Sequence, residues 1–191
     1  CARMSEIRLH RDASGIATFN DLSIDRAGAK TLRAAVAGLS PLDSDSFTIS
    51  AGAASRLVFT TQPGGANAGA VFTTQPVVRS QDGFGTNTAN GLPASLTVSV
   101  ALTSGGGSLQ GTTSLDIGTG AGNGIVSFTN LRIDAVGTDK QLTASARGLT
   151  SDPSSVFTVN PGAAAKLTVL TQPATNATAG VAFTNQPVIR I

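Results

Sequence analysis

The sequence predicts an all-β chain of tandem β-sandwich repeats, each about 110 residues long with about seven strands. Three observations carry that expectation. The chain repeats itself at a spacing of 109 to 111 residues. Its apolar residues alternate with small polar ones in several short runs. Aromatic residues make up 4% and charged residues 13% of the 191, well below a typical globular enzyme, while glycine occurs 22 times and marks turns between the runs.

The repeat begins with GIATFNDLSIDRAG at Gly15–Gly28, which returns as GIVSFTNLRIDAVG at Gly124–Gly137. One inserted residue moves the spacing from 109 to 110, so that Lys30 and Leu32 match Lys140 and Leu142. AGAASRLVFTTQP at Ala51–Pro63 then matches PGAAAKLTVLTQP at Pro161–Pro173. A second insertion gives 111, where AGAVFTTQPVVR at Ala68–Arg79 matches AGVAFTNQPVIR at Ala179–Arg190. A period this long suits one sandwich domain and exceeds a solenoid turn. The expected organisation is the C-terminal half of a repeat over residues 14–50, a complete repeat over 52–160 and the N-terminal part of a third over 162–191.

Residues 1–13 stand apart. Cys1, Met4, Glu6 and His10 all fall here, and none of these four residue types recurs from Asp12 onward. The segment reads either as foreign or ragged sequence or as a divergent strand in which Ile7 and Leu9 alternate with charges. It lacks the apolar core of a signal peptide.

In the complete repeat, Leu57 and Phe59 alternate in the opening strand. The TQP sequence at Thr61–Pro63 is expected to end that strand, and a second TQP at Thr74–Pro76 to open the next. Leu96 to Thr103 gives eight positions of strict alternation, the clearest half-buried strand. Phe128, Leu131 and Ile133 follow the glycine-rich GTGAGNG stretch at Gly118–Gly124, read as a flexible hairpin loop. Leu142, Ala144 and Ala146 alternate again, and Phe157 and Val159 close the unit. LRAAVAGL at Leu32–Leu39 has helical propensity, but its partner QLTASARGL alternates and is rich in Thr and Ser, so both are expected as strands. Turns are expected at Asp82–Gly85, at Gly105–Gly107 and at Asp134–Gly137.

These residues resemble the bacterial immunoglobulin-like repeats of the invasin/intimin-like group, found in tandem in large surface and secreted proteins. AASRLVFTTQP, QPVVRSQDGFG, SLTVSVALTSGGGSLQGTT, GIVSFTNLRIDAVG and QLTASARGLTS carry the likeness, which covers roughly residues 12–191. It implies an Ig-like sandwich serving as a structural stalk or spacer of a bacterial extracellular or cell-surface protein, as part of an adhesin. Neighbouring repeats of the same chain are the implied partners, with a host or matrix ligand bound through other domains. Such repeats often carry Tyr where this chain has Lys30 and Lys140. A ligand-binding adhesin module and an accessory module of a secreted hydrolase are the alternatives.

Chemistry is sparse. The sole histidine, His10, lies outside the complete repeat, so a hydrolytic triad has no base there and no enzyme is expected. One Cys and one His cannot build a zinc site. A net charge of +2 without a basic stripe argues against nucleic acid. No apolar run approaches the ~18–20 residues that span a bilayer, so no membrane insertion is expected.

No cofactor is expected. Asp134 and Asp139, with Asp82, are the candidate oxygen ligands for Ca²⁺, though no EF-hand spacing supports them. Asp25 and Asp134 hold matched places three residues before a glycine, where the side chain is expected to accept backbone amides in a turn. Lys30 and Lys140 are expected as edge lysines that discourage sheet-to-sheet aggregation. Phe84 is the one aromatic outside the strand pattern. It is expected to fold back on the sandwich end or a neighbouring domain, with contact to a ligand as the alternative.

Overall fold

The computed structural model describes residues 15–191. The segment 1–13, including the strand read around Ile7 and Leu9, lies outside the described residues. Among the described residues every regular element is a strand and no helix forms.

The first flank holds β1 (Gly28–Lys30), β2 (Arg33–Ala34), β3 (Leu42–Asp43) and β4 (Phe47–Ile49). The central body holds β5 (Arg56–Thr61), β6 (Ala66–Asn67), β7 (Val77–Gln81), β8 (Thr97–Ser104), β9 (Leu109–Gln110) and β10 (Ser114–Asp116). It continues with β11 (Ile125–Ser127), β12 (Arg132–Ile133), β13 (Gly137–Ala146), β14 (Leu149–Pro153) and β15 (Phe157–Asn160). The second flank holds β16 (Thr168–Thr171) and β17 (Val188–Arg190). Strands are therefore more numerous and shorter than the seven expected of the central repeat. Backbone breaks split continuous runs: Pro63 with Gly64 and Gly65 separates β5 from β6, and residues 128–131 separate β11 from β12. As the two TQP sequences predict, β5 ends just before Gln62-Pro63 and β7 starts just after Pro76.

The pairing order is β10-β8-β13-β14-β5-β7-β11, with β15 joining β13 and β6. All these contacts are antiparallel except two: β14 runs parallel to β5, and β15 runs parallel to β6. Side chains from β5, β7 and β11 meet those from β8, β13 and β15 in one apolar core. Leu57, Val78 and Val126 face Val98, Val100, Leu142, Ala144 and Val159, an arrangement that fits a β-sandwich. Phe72 meets Phe157 edge to face at 5.1 Å. Every apolar residue in this core lies between Leu57 and Val159.

The flanks pair in the same registers as the central strands they match in sequence. Lys30 opposes Phe47 as Lys140 opposes Phe157, and Gly28 opposes Ile49 as Gly137 opposes Val159. The pairing at Gly137 to Lys140 has a bulge that β1 lacks, and the one-residue change from spacing 109 to 110 falls there. Thr168, Val169 and Thr171 oppose Arg190, Ile189 and Val188, matching Val58, Phe59 and Thr61 against Arg79, Val78 and Val77.

Two expectations need correction. GTGAGNG is not a hairpin connection, and its backbone is tied by hydrogen bonds to the chain around it. It joins β10 to β11, which sit at opposite ends of the pairing order. Thr119 and Gly120 donate amides to the carbonyls of Pro93 and Ala94, and Asn123 and Gly124 donate to those of Gly118 and Ile117. A Cβ at Gly122 would stand 2.5 Å from the Asp116 carbonyl oxygen and 2.6 Å from that of Ile125, so close backbone approach demands glycine.

Lys140, likewise, is no edge residue. It is 0% exposed, on the inward face of β13 with Leu142 and Ala144. Its Nζ donates to the Gly105 carbonyl and, at 2.9 Å, to that of Gly106. Gly105, Gly106 and Gly107 all have left-handed φ (+90°, +61° and +91°), which turns these carbonyls inward as side-chain-bearing residues rarely could.

Candidate functional site

The two ends of the central body hold the residues with chemical potential. β5 and β7 run antiparallel with Arg56 opposite Gln81, which puts Ala51–Arg56 and the Asp82 turn at one end. β15 ends beside β6, with Val159 opposite Ala66, and β13 begins opposite Val159. Asp134, Asp139 and the Lys140 clamp therefore sit at the other end. The chain enters the body at the first end and leaves at the second.

At the first end, Asp82 is buried. Its Oδ1 accepts the amides of Phe84 (3.0 Å) and Thr86 (2.8 Å), and its Oδ2 accepts the amide of Gly52 (3.0 Å). These donations, Thr86 foremost, hold its pKa below the ordinary carboxylate range against the opposing effect of burial. Asp82 thus ties the incoming chain to the turn. Asn90 adds to the tie: its Nδ2 donates to Ala51 O at 2.9 Å, and its own carbonyl accepts from Ala54 N.

Phe84 does not fold back on the body. It is 58% exposed at the tip of the Asp82 turn. Beside the incoming chain lies a shallow groove of about 410 Å³, lined by Arg79, Asn87, Thr88, Asn90 and Asn123 among others. Asn123 has a left-handed φ of 45° at its rim.

Asp116 forms a second carboxylate-centred turn that the sequence reading missed. It accepts the Ser95 hydroxyl at 2.6 Å and the amides of Leu96 and Gly118 at 2.8 and 2.7 Å. Its pKa is lowered by those bonds, the Ser95 hydroxyl first.

At the other end, Asp134 is exposed and accepts the Gln110 side-chain amide. The turn-binding role expected of Asp134 is thus taken by Asp82 and Asp116. The three candidate Ca²⁺ ligands are not brought together, because the strand directions put Asp82 at one end and Asp134 and Asp139 at the other. Among the described residues no group of three Asp, Glu, His or Cys side chains is arranged to hold a metal.

The TQP glutamines also escaped the sequence reading, which weighed only their prolines. Gln75 Oε1 accepts Leu131 N and its Nε2 donates to Leu131 O, both at 3.0 Å. Gln62 Oε1 accepts Ser155 N at 2.8 Å, and its Nε2 donates to Phe59 O. Each glutamine satisfies backbone groups where a proline has interrupted the ladder. No protein-family model matches this chain, and no curated protein matches it either.

Proposed function

We propose that the chain belongs to a tandem array of Ig-like repeats in a bacterial extracellular or cell-surface protein. In this reading the repeats work as a structural stalk or spacer, as in an adhesin. Residues 52–160 form one repeat, residues 14–50 the C-terminal half of the one before, and residues 162–191 the N-terminal part of the next. Each repeat adds roughly 35–45 Å, from strands of ~8 residues plus loops.

One observation carries the reading. The incoming and outgoing strands run parallel, with Thr150 beside Arg56 and Asn160 beside Asn67, and the chain enters and leaves at opposite ends. Tension between those ends loads the parallel bonds in shear, all at once, where a peeled strand pair would yield bond by bond. The bond from Ala68 N to Asn160 O at 2.8 Å belongs to this clasp.

A molecule tethered by its two termini and stretched should show one cooperative opening. The expected gain in contour length is roughly 350 Å, from about 109 residues at ~3.6 Å each less the ~40 Å the folded repeat already spans. Gradual extension without a discrete step would remove the mechanical reading. A ligand-binding module is a second reading, favoured by the exposed ring of Phe84 at a turn tip.

A further inference from the structure

We infer that Asn90-Gly91 is a site of spontaneous modification, where the asparagine loses its side-chain amide as ammonia and the tie to the incoming chain is lost with it. The chain contains two Asn-Gly pairs, Asn90-Gly91 and Asn123-Gly124. Asn90 and Asn123 line the same shallow groove. The chemistry open to each pair is the same. The glycine amide nitrogen gives up its proton to hydroxide and attacks the asparagine Cγ, an approach that glycine leaves unhindered by a side chain. The bond from Cγ to Nδ2 breaks, and that nitrogen takes a proton from water and departs as ammonia. Water then opens the five-membered imide at either carbonyl. Opening at Cγ gives aspartate, and opening at the main-chain carbonyl gives isoaspartate. The net exchange is one amide and one water for one carboxylate and one ammonium.

Their surroundings separate the two pairs. Gly124 is buried, and its amide donates to Ile117 O at 2.9 Å. Asn123 N donates to Gly118 O at 2.7 Å. A Cβ at Gly124 would stand 2.9 Å from Ser80 Oγ and 3.1 Å from Thr88 O, so packing as well as hydrogen bonding holds this backbone in place. Gly91 is exposed, and among the described residues no group accepts its amide hydrogen. It lies in a turn closed by the bond from Leu92 N to Ala89 O at 3.1 Å, with a φ of +78°. Local opening of such a surface turn is far less costly than opening the packed backbone at Gly124. Asn90 therefore reacts in the folded chain, and Asn123 is protected.

The modification has a structural consequence. Asn90 Nδ2 is the donor to Ala51 O at 2.9 Å, and it is the nitrogen that leaves. In the aspartate product a carboxylate, which can only accept, faces the Ala51 carbonyl. In the isoaspartate product the main-chain carbonyl that accepted Ala54 N becomes a free carboxylate, and the backbone gains one carbon. Asp82 still holds Gly52 N at 3.0 Å, so the incoming chain is loosened without being released.

The full chain, kept folded in mildly alkaline buffer, tests both halves. Each modification lowers the net charge of +2 by one, so an acidic species should accumulate on ion exchange, faster at higher pH. Peptide mass spectrometry should place it at Asn90 several-fold faster than at Asn123. In denaturant the two sites should convert at similar rates. A folded chain in which Asn90 converts no faster than Asn123 overturns the inference. So does a denatured chain that keeps the folded difference, since the selection would then lie in the sequence alone. For the consequence, Asn90→Asp should speed hydrogen exchange at the Ala54 amide several-fold and leave the amides of β8 unchanged. Exchange at Ala54 equal to that of the unmodified chain overturns the loosening. None of these readouts depends on how the chain responds to tension, so they stand apart from the mechanical reading.

Discussion

Lys140→Met should destabilise the chain by about 3 kcal/mol, read as a lowered denaturant midpoint with the slope retained. Methionine keeps the length of the side chain but cannot donate. It leaves the carbonyls of Gly105 and Gly106 facing the interior without their ammonium donor. A buried carbonyl stripped of its partner costs about 1–3 kcal/mol, and two are stripped here. Part of this is offset because the buried charge no longer has to be desolvated. The amides of residues 105–107 should also exchange faster with solvent. Lys30→Met is the matched control. Lys30 Nζ reaches only Ala27 O, at 3.2 Å and half-buried, so the loss should stay below about 1 kcal/mol. A change at Lys140 within about 0.5 kcal/mol would return it to the role of an ordinary surface lysine.

The second large effect is expected at Leu131. Leu131→Ala removes a fully buried side chain from the core and should cost about 2–5 kcal/mol. The backbone of Leu131 is fixed on both sides by Gln75, and its carbonyl also accepts Phe72 N at 3.0 Å. The site therefore has little freedom to collapse around the cavity, which places the loss in the upper part of that range. Leu22→Ala, at the matched position of the first flank, should change the stability of the chain by less than about 1 kcal/mol, because about half of Leu22 is exposed to water. Equal losses at the two positions would mean that the flank packs as the body does.

Much of the fold was legible because strands broadcast their burial at period two. Leu96 to Thr103 announced β8, and the two TQP sequences marked the end of β5 and the start of β7. The same alternation contained the correct reading of Lys140. It stands two residues before Leu142 and four before Ala144, on the buried face. Residue type, a lysine being seldom buried, outweighed position there.

The candidate site was less legible, for a physical reason. Asp82, Asp116 and the glutamines act on backbone groups far along the chain, over separations of 20 to 93 residues at Leu96, Gly52, Leu131 and Ser155. No local pattern encodes those partners. Glycine-rich composition at Gly118–Gly124 suggested freedom, whereas the glycines are there because neighbouring backbone leaves no room for a Cβ. Asp134 kept its matched place in the repeat but found a side-chain amide in place of a turn.

The central claim is that the body is built to carry tension between its two ends, and the direction of pulling tests it most directly. With Cys1→Ser in the background, handles at Ser50→Cys and Ala163→Cys load the parallel clasp in shear. Handles at Ala70→Cys and Ala163→Cys act at the same end of β6 and β15 and peel those strands apart. The account predicts a clearly higher opening force for the first pair than for the second at the same loading rate. Equal forces, or a higher force for peeling, would contradict it.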